Sequence, residues 1–286
     1  MQNSDALRAR LRAAREFRPR AYLALAFGAD TIGWIRRDLA EWLRVWPEVF
    51  EFSDKNICLR PVAEADLSAA LAEVARVLAR EGHIQGWRNE TYAIRANEGG
   101  AVLFHLERAA TRFFGLTSSA AHLNGFFFQN ENPTIWIARR SATKAIDPGM
   151  LDNLVAGGVP SGQDAWQTLL RECGEEAGIP TALAGKARPA GVLRVCREVP
   201  EGLHSEFLHV HDLALPADFV PRNTDGEVSE FLSLDAQRLM ERIAGGEMTV
   251  EAALVAADFV LRQGVLQDEA GAIAAAVEAC RCATPA

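Results

Sequence analysis

Long apolar runs, Cys-x-x-Cys pairs and continuous runs of basic residues are all missing from this sequence. No apolar run approaches the roughly 20 residues that a membrane-spanning helix needs, so we expect no membrane segment. The five cysteines form no Cys-x-x-Cys pair and have no matching histidine spacing, which argues against zinc, and their odd number favours reduced thiols in a cytoplasm. Because the net charge is −8 and no basic run offers phosphate contacts, we expect no nucleic-acid partner.

What is present is ample apolar sequence for a folded protein. The chain has 286 residues, of which 49% are apolar and 24% charged, and these values are ordinary for a globular protein with a sizeable core. This length accommodates one large domain or two ordinary ones. The Arg-rich start of the chain contains Asp5 and Glu16 and no apolar segment, which predicts a first helix rather than a targeting peptide.

The pattern of apolar residues changes near Gly115. We predict a smaller α+β domain over residues 1–115 and, over residues 116–286, a mixed sheet flanked by helices, an α/β/α sandwich. The first domain has predicted helices at 3–16, 37–45, 63–81 and 106–114, and predicted strands near 48–52 and 56–59. The second has predicted strands at 118–129, 134–138, 190–199, 205–213 and 227–234, followed or separated by helices that include 235–244, 249–263 and 268–281.

The most informative stretch runs from Ala156 to Pro180. Gly157 and Gly158 predict a turn, a helix follows, and Gly178 predicts the end of that helix. At about 100° per residue, three acids project from one side of the helix. They are Glu172, Glu175 and Glu176.

These three neighbouring carboxylates repel one another. At roughly 4 Å and an effective dielectric of 20, each like-charged pair costs about 4 kcal/mol before screening. A solvated helix face normally places a Lys or Arg four residues after each Glu, whereas the three positions here are Glu, Ile and Pro. A hard divalent cation with oxygen ligands offsets the charge. The pattern therefore favours a site for Mg²⁺ (or Mn²⁺) over a solvated acidic face.

The spacing of this stretch resembles the box of the Nudix hydrolase family. Gly157, five residues, Gln163, seven residues and then RECGEEAGI at 171–179 follow the family pattern Gly-x5-Glu-x7-Arg-Glu-apolar-x-Glu-Glu-x-Gly-apolar. One position departs, because Gln163 stands where the family has Glu. That Glu is peripheral to the family's core metal ligands, so the resemblance implies weaker metal affinity or altered geometry rather than lost chemistry. Asp164 is a neighbouring substitute, although a rotation of about 100° would misdirect it.

Segments outside the box resemble one branch of the same family. They are WRNETYAI at 87–94, LERAATRFFG at 106–115, HLNGF at 122–126, IWIARRSATKAIDPGMLDNLVAGG at 135–158 and NTDGEVSEF at 223–231. In this branch, an N-terminal extension is related to the one that accompanies thiamine pyrophosphokinase in some fungal proteins. The resemblance implies a diphosphatase that converts thiamine diphosphate, or its damaged oxo and oxy analogues, to the monophosphate and inorganic phosphate.

Hydrolysis also needs a group that orients water or takes its proton. In Nudix enzymes a carboxylate from a late loop often reaches the metals or the water. Glu227, which follows a flexible glycine, is the first candidate, with Glu230 second; the other reading of Glu227 is a solvated loop acid. Glu175 or Glu176 of the box is the alternative base. Arg171, one turn before Glu175, is expected to orient the acids.

Candidate substrate-binding residues follow the predicted strand at 134–138. Arginine offers paired donors suited to phosphate, so Arg139, Arg140 and Lys144 are predicted substrate contacts, although a basic strand end also occurs for solubility alone. Further candidates precede the box helix: Asp152 and Asn153, which alternatively cap a turn, and Gly157 and Gly158. The dense aromatic and polar cluster from Trp87 to Tyr92 is read either as ligand-facing or as interdomain packing.

These features predict an Mg²⁺-dependent Nudix enzyme that cleaves a diphosphate linkage in a small-molecule substrate, with Glu172, Glu175 and Glu176 as metal ligands. The residues alone leave the organic group open, and an ADP-sugar or a dinucleotide is the alternative to a thiamine compound. A different class, a ligand-binding regulator that has lost turnover, is favoured only by Gln163. We expect a cytoplasmic protein without a membrane partner, and a homodimer remains open.

Overall fold

The computed structural model describes residues 2–60, 64–265 and 270–282. Within these ranges, no helix combines the length and the apolar character that a bilayer crossing requires. The helices are α1 Gln2–Arg12, α2 Arg37–Ala40, α3 Glu64–Arg80, α4 Ala165–Ala177, α5 Thr181–Ala184, α6 Ala236–Ala244, α7 Val250–Arg262 and α8 Ala270–Glu278. The strands are β1 Tyr22–Phe27, β2 Asp30–Arg36, β3 Phe50–Phe52, β4 Asn56–Leu59, β5 Thr91–Arg95, β6 Val102–Glu107, β7 Thr117–Gln129, β8 Asn132–Arg140, β9 Leu151–Asn153, β10 Val155–Gly158, β11 Arg188–Val199, β12 Gly202–Ala214 and β13 Val228–Asp235.

The N-terminal region is built from a four-stranded sheet, a hairpin and a long helix. The sheet has the order β2-β1-β4-β3, and β5 pairs with β6 in a separate antiparallel hairpin. Helix α3 packs on β6, because Leu67, Leu71 and Val74, at helical spacing, are buried in one core with Phe104 and Leu106. The prediction of an α+β N-terminal region is confirmed.

The second region is a sheet covered by helices on both faces. Its strand order is β11-β12-β7-β8-β13, with β10 paired to β7 and β9 paired to β8. Strands β12 and β7 run parallel while the other pairs are antiparallel. Because side chains alternate along a strand, Ala120 lies in the core under α7 and Ala121 in the core under α4. The predicted α/β/α sandwich with a mixed sheet is confirmed.

Helix α1 contributes to the core of the second region. Its residues Leu7 and Leu11 are buried together with Leu239 and Ile243 of α6, and α1 contacts α6, α7 and α8. Helix α1 therefore packs on the face of the second sheet that α6, α7 and α8 cover, although it precedes the N-terminal sheet in the chain. The division of the chain into 1–115 and 116–286 stays a prediction.

Several parts of the local structure differ from the sequence analysis, among them the four strands β5, β6, β9 and β10, which were not predicted. The helix predicted at 106–114 is wrong, because β6 continues to Glu107 and only a 3-10 turn, Arg108–Ala110, follows it. Phe104 and Leu106 alternate into the core at strand spacing. Strands β1 and β2 form an antiparallel hairpin where no regular element was assigned. The first residue of the helix predicted at 63–81, and the first two of 268–281, lie outside the described residues.

Candidate active site

Helix α4 carries the acidic box and has well-defined ends. Asp164 caps its start, since its Oδ1 accepts from the Gln167 N–H at 2.7 Å while Gln167 Oε1 accepts from the Asp164 N–H at 3.1 Å. Gly178 ends the helix in the left-handed conformation with φ 62°. Gln163 precedes the helix, and its Oε1 accepts from the Thr168 hydroxyl at 3.1 Å. Asp164 is therefore used as a helix cap and does not replace the missing box glutamate.

The two glycines before α4 lie in a strand, so the predicted turn at Gly157 and Gly158 is wrong. Both belong to β10, which pairs with β7. A Cβ on Gly157 would lie 2.3 Å from Oε1 of Glu172, and a Cβ on Gly158 would lie 1.7 Å from the Tyr92 hydroxyl oxygen. At both positions glycine leaves the space that a Cβ would take from a neighbouring side chain, which is Glu172 of the box for Gly157 and Tyr92 of the N-terminal region for Gly158.

The three box carboxylates occupy different environments. The side chain of Glu176 is buried, and its Oε2 accepts from the Ala156 N–H at 2.9 Å. Glu172 is 13% exposed and Glu175 is 46% exposed. Arg171 joins these two, because its Nη2 donates to Glu172 at 2.7 Å and its Nη1 donates to Glu175 at 2.6 Å. The predicted orienting role of Arg171 stays a prediction, and its contacts are those that such a role requires.

Burial and crowding make the inner carboxylates hard to ionise. Burial is the largest cause of the raised pKa of Glu172, and the neighbouring charges of Glu175 and Glu227 raise it further. The charge and hydrogen bond of Arg171 act in the opposite direction but do not cancel the rise. Burial raises the pKa of Glu176 well above its ordinary value, and Glu172 and Asp152 add to this. Both acids are therefore biased toward the protonated form, mainly by burial.

The side chains of Glu172, Glu175 and Glu176 offer carboxylate oxygens, which are the ligands that a hard divalent cation prefers. Burial and neighbouring acids disfavour the ionised form of Glu172 and Glu176, and a cation beside them would offset this. In the part of the chain that the structure describes, no three His, Cys, Asp or Glu side chains are arranged to hold a metal ion. Arg171 occupies the space between Glu172 and Glu175. Metal binding at the box would therefore require Arg171 to release Glu172.

Glu227 reaches the same region from the loop before β13. Lys144 pairs with Oε2 of Glu227, and Arg88 Nη1 lies 3.4 Å from Oε1. Burial opposes ionisation of this carboxyl, but Lys144 and Arg88 outweigh it and lower its pKa. Glu230 points elsewhere and pairs with Arg139 at 2.8 Å. Of the two loop acids, only Glu227 lines a cavity beside the box.

Two adjoining cavities lead to these acids. The smaller one is lined by Glu176, Glu227 and Asn153 among others. The larger one, of about 230 Å³, lies between the N-terminal region and the sheet and is lined by Arg88, Tyr92 and other residues of both. The two cavities share four lining residues, Arg140, Lys144, Asp152 and Ala156. The buried box acid Glu176 therefore lies one shared wall away from the larger cavity.

The predicted substrate-binding residues separate into two groups. Arg140 lines both cavities, but its donors are used by the carbonyl oxygens of Ile146 and Asp147 and, at 2.7 Å, by Asp152. Arg139 lines neither cavity and donates to Glu230 and to the Gly149 carbonyl oxygen at 3.0 Å. The structure thus brings Lys144, Asp152, Asn153, Gly157 and Gly158 to the cavities or their walls, while Arg139 lies outside.

Comparison with known proteins agrees with this geometry. The family description "NUDIX domain" matches residues 122–252, and "Domain of unknown function (DUF4743)" matches residues 7–118. Nudix hydrolase 20, chloroplastic, of Arabidopsis thaliana is 34% identical over 260 residues, which cover 87% of this chain and 70% of the relative. Nudix hydrolase 24, chloroplastic, of the same plant is 34% identical over 253 residues, covering 87% and 69%.

The chain belongs to the Nudix hydrolase family. Among solved structures, a Deinococcus radiodurans protein is 27% identical, and the match covers 56% of this chain and 92% of that one with a TM-score of 0.43. The prediction of a Nudix enzyme is confirmed. Nudix enzymes in general use divalent cations and act on small-molecule diphosphates.

Several cavity residues of this Nudix hydrolase were not predicted as site residues. Arg108 and Arg112 line the larger cavity from the N-terminal region. At its floor, Glu251 accepts from Arg197 Nε at 3.1 Å and lies 3.2 Å from His204 Nε2. The sequence signals for this wall were the Trp87–Tyr92 cluster, which is dense in aromatic and polar groups, and the family resemblance of segments 87–94 and 106–115.

Proposed function

We propose that this chain hydrolyses the diphosphate linkage of a compact small molecule where the two cavities meet. The observation that carries the proposal is that Glu176 and Glu227 line a small cavity that shares Lys144, Arg140 and Asp152 with the larger cavity beside it. The phosphates lie beside the box, and the organic group extends toward Tyr92. Water attacks phosphorus, the bridging P–O bond breaks, and the products are an organic monophosphate and inorganic phosphate.

In this proposal Glu227 takes the proton from the attacking water, and Glu176 or Glu175 is the alternative base. Lys144 is positioned to neutralise phosphate oxygens, because it lines both cavities next to Glu227. Arg171 orients Glu172 and Glu175 through its two hydrogen bonds. Arg139 and Arg140 use donors to hold Glu230, Asp152 and the loop at 141–150, and their role in substrate binding stays a prediction.

The same proposal assigns Glu172, Glu175 and Glu176 as ligands of Mg²⁺ or Mn²⁺. When bound, such an ion neutralises the phosphate charge and lowers the pKa of a coordinated water. The support is the donor chemistry: burial and mutual repulsion raise the pKa values of Glu172 and Glu176, so a nearby cation is favoured.

For the organic group we propose thiamine diphosphate or its oxidised analogues, on the resemblance of segments 87–94, 106–115 and 223–231 to the thiamine-linked branch. The larger cavity, of about 230 Å³, does not distinguish this group from the alternatives, so the choice rests on the resemblance alone.

A cytoplasmic location is proposed from the cysteines, which are all free thiols in the structure. The two plant relatives carry the word "chloroplastic" in their names. A homodimer is kept as a prediction, and light scattering of the purified protein tests it.

The test is a hydrolysis screen with Mg²⁺ or Mn²⁺ over thiamine diphosphate, its oxidised forms, an ADP-sugar and a dinucleotide, with the products identified by chromatography. We expect thiamine monophosphate (or the oxidised monophosphate) and inorganic phosphate. Glu241→Gln, an exposed change on α6, is the matched control for the box variants. Release of a nucleoside monophosphate would replace the thiamine assignment. Tight Mg²⁺-dependent binding without turnover of any compound would indicate a regulator instead.

A further inference from the structure

We infer that Arg88 of the N-terminal region is a positioning residue for Glu227, so that the catalytic constellation is completed across the two regions. This inference rests on the proposed function, in which Glu227 is the base. The two residues are 139 positions apart in sequence, and Arg88 Nη1 lies 3.4 Å from Glu227 Oε1.

The loop that carries Arg88 is held in place by its neighbours. The Arg88 backbone N–H donates to Oε1 of the buried Glu107 at 3.1 Å. Trp87 Nε1 donates to Asn89 Oδ1 at 2.9 Å, and Asn89 adopts the left-handed conformation with φ 58°. Glu90 accepts from Arg108 Nη1 at 2.9 Å. The side chains around Arg88 thus secure the loop, while the Arg88 guanidinium extends into the cavity wall.

The backbone of the loop that carries Glu227 is held by hydrogen bonds to helix α4 and within the loop itself. The Thr224 N–H and hydroxyl both donate to the Glu175 carbonyl oxygen at 2.9 Å, which ties the loop to the last turn of α4. The Glu227 N–H donates to Asp225 Oδ1 at 2.8 Å. The position of the backbone is therefore set by α4, and what remains free is the orientation of the carboxylate.

Two cations set that orientation. Lys144 contacts Oε2 and Arg88 approaches Oε1, so each oxygen of Glu227 faces a cation from a different region of the chain. Loss of either contact leaves the carboxylate free to rotate about its last torsion. A base that is misplaced by about 1 Å loses up to roughly 100-fold in rate, which makes the Arg88 contact a determinant of turnover rather than of binding.

A double-mutant experiment tests this. Arg88→Met removes the charge and keeps the length of the side chain, Arg88→Lys keeps the charge, and Glu227→Gln removes the ionised partner. Arg76→Met is the matched control, because Arg76 is an exposed arginine of the same region that pairs with Glu73 at 2.9 Å, on α3 away from the cavity. Steady-state kinetics are measured with the best substrate of the screen, and circular dichroism shows that each variant is folded.

We expect Arg88→Met to lower kcat about 10- to 100-fold with KM changed less than about twofold, and Arg88→Lys to retain most of the activity. In the Glu227→Gln background, Arg88→Met should have no further effect. Two results would overturn the positioning role while leaving the proposed function in place. One is a rise in KM with unchanged kcat in Arg88→Met; the other is a double variant whose loss of kcat is the product of the losses in Arg88→Met and Glu227→Gln. Full activity of Glu227→Gln would overturn the positioning role and transfer the role of base to a box acid, whereas failure of the wild-type protein to hydrolyse any compound would overturn both.

Discussion

The Ala156 backbone N–H donates a hydrogen bond of 2.9 Å to the buried Oε2 of Glu176. This bond joins β10 to α4 beside the smaller cavity, which both residues line. On the next residue of the strand, the missing side chain of Gly157 leaves room for Glu172. Two box acids thus lie against one short strand.

Glu176→Gln is expected to lower turnover about 10³-fold, roughly 4 kcal/mol of transition-state stabilisation, without unfolding the protein. The amide oxygen of Gln still accepts from the Ala156 N–H, so the link between β10 and α4 persists. The measurement is kcat at saturating Mg²⁺ beside a thermal melt, with Glu241→Gln as the control. A loss below about fivefold would remove Glu176 from the mechanism.

Gly158→Ala is expected to destabilise the protein by about 1–3 kcal/mol, as overpacking does. The added Cβ would lie 1.7 Å from the Tyr92 hydroxyl oxygen, so β5 and β10 must separate. In that background Tyr92→Phe should restore part of the loss, because the offending oxygen is removed. Urea unfolding measures both effects.

Gly174→Ala is the control for Gly158→Ala. A Cβ at this α4 position meets no atom within 4 Å, and alanine favours a helix, so the expected change is neutral or stabilising by up to about 1 kcal/mol. Equal destabilisation by the two alanines would show that the Tyr92 contact is not the cause.

Acidification should destabilise the protein through Glu251. Burial alone would raise the pKa of this carboxyl, but hydrogen bonding and charge from His204, and the charge of Arg197, lower it well below its ordinary value. A lowered folded-state pKa stabilises the fold above the unfolded value, about 4.3, and this contribution is lost as the pH falls through the folded-state pKa.

The measurement compares the free energy of unfolding of the wild type and Glu251→Gln by urea at pH 7 and at successively lower pH. The variant should be less stable by about 3–5 kcal/mol at pH 7, as for a broken buried ion pair, and the gap should narrow on acidification. A gap that stays constant with pH would show that the Glu251 charge is not what stabilises this site.

Local sequence patterns predicted α4 well, because its amphipathic spacing and the glycine at its end are properties of neighbouring residues. The longer strands of the second sheet were predicted because their apolar residues occur in short runs separated by turn residues, although the burial along β7 does not alternate regularly. The segment at 106–114 was misread because its helix-favouring residues outweighed the strand spacing of Phe104 and Leu106, which only the pairing with β5 makes decisive.

The site was predictable only in part. The box acids share one helix turn, and their spacing can be read directly. The strand conformation of Gly157 and Gly158 could not be read, because it depends on close approach to Glu172 and Tyr92. The contact between Arg88 and Glu227 joins residues from different regions, and no periodicity within either segment indicates it.

The central claim is that Glu172, Glu175 and Glu176 hold a divalent cation, and a crystal grown with Mn²⁺ and measured at the manganese absorption edge tests it most directly. The account predicts an anomalous peak within about 2.1–2.3 Å of oxygens of Glu172 and Glu176, with the Arg171 guanidinium moved off Glu172. An enzyme active with Mn²⁺ whose crystals show no peak at these oxygens, with Arg171 still bridging Glu172 and Glu175, would contradict it.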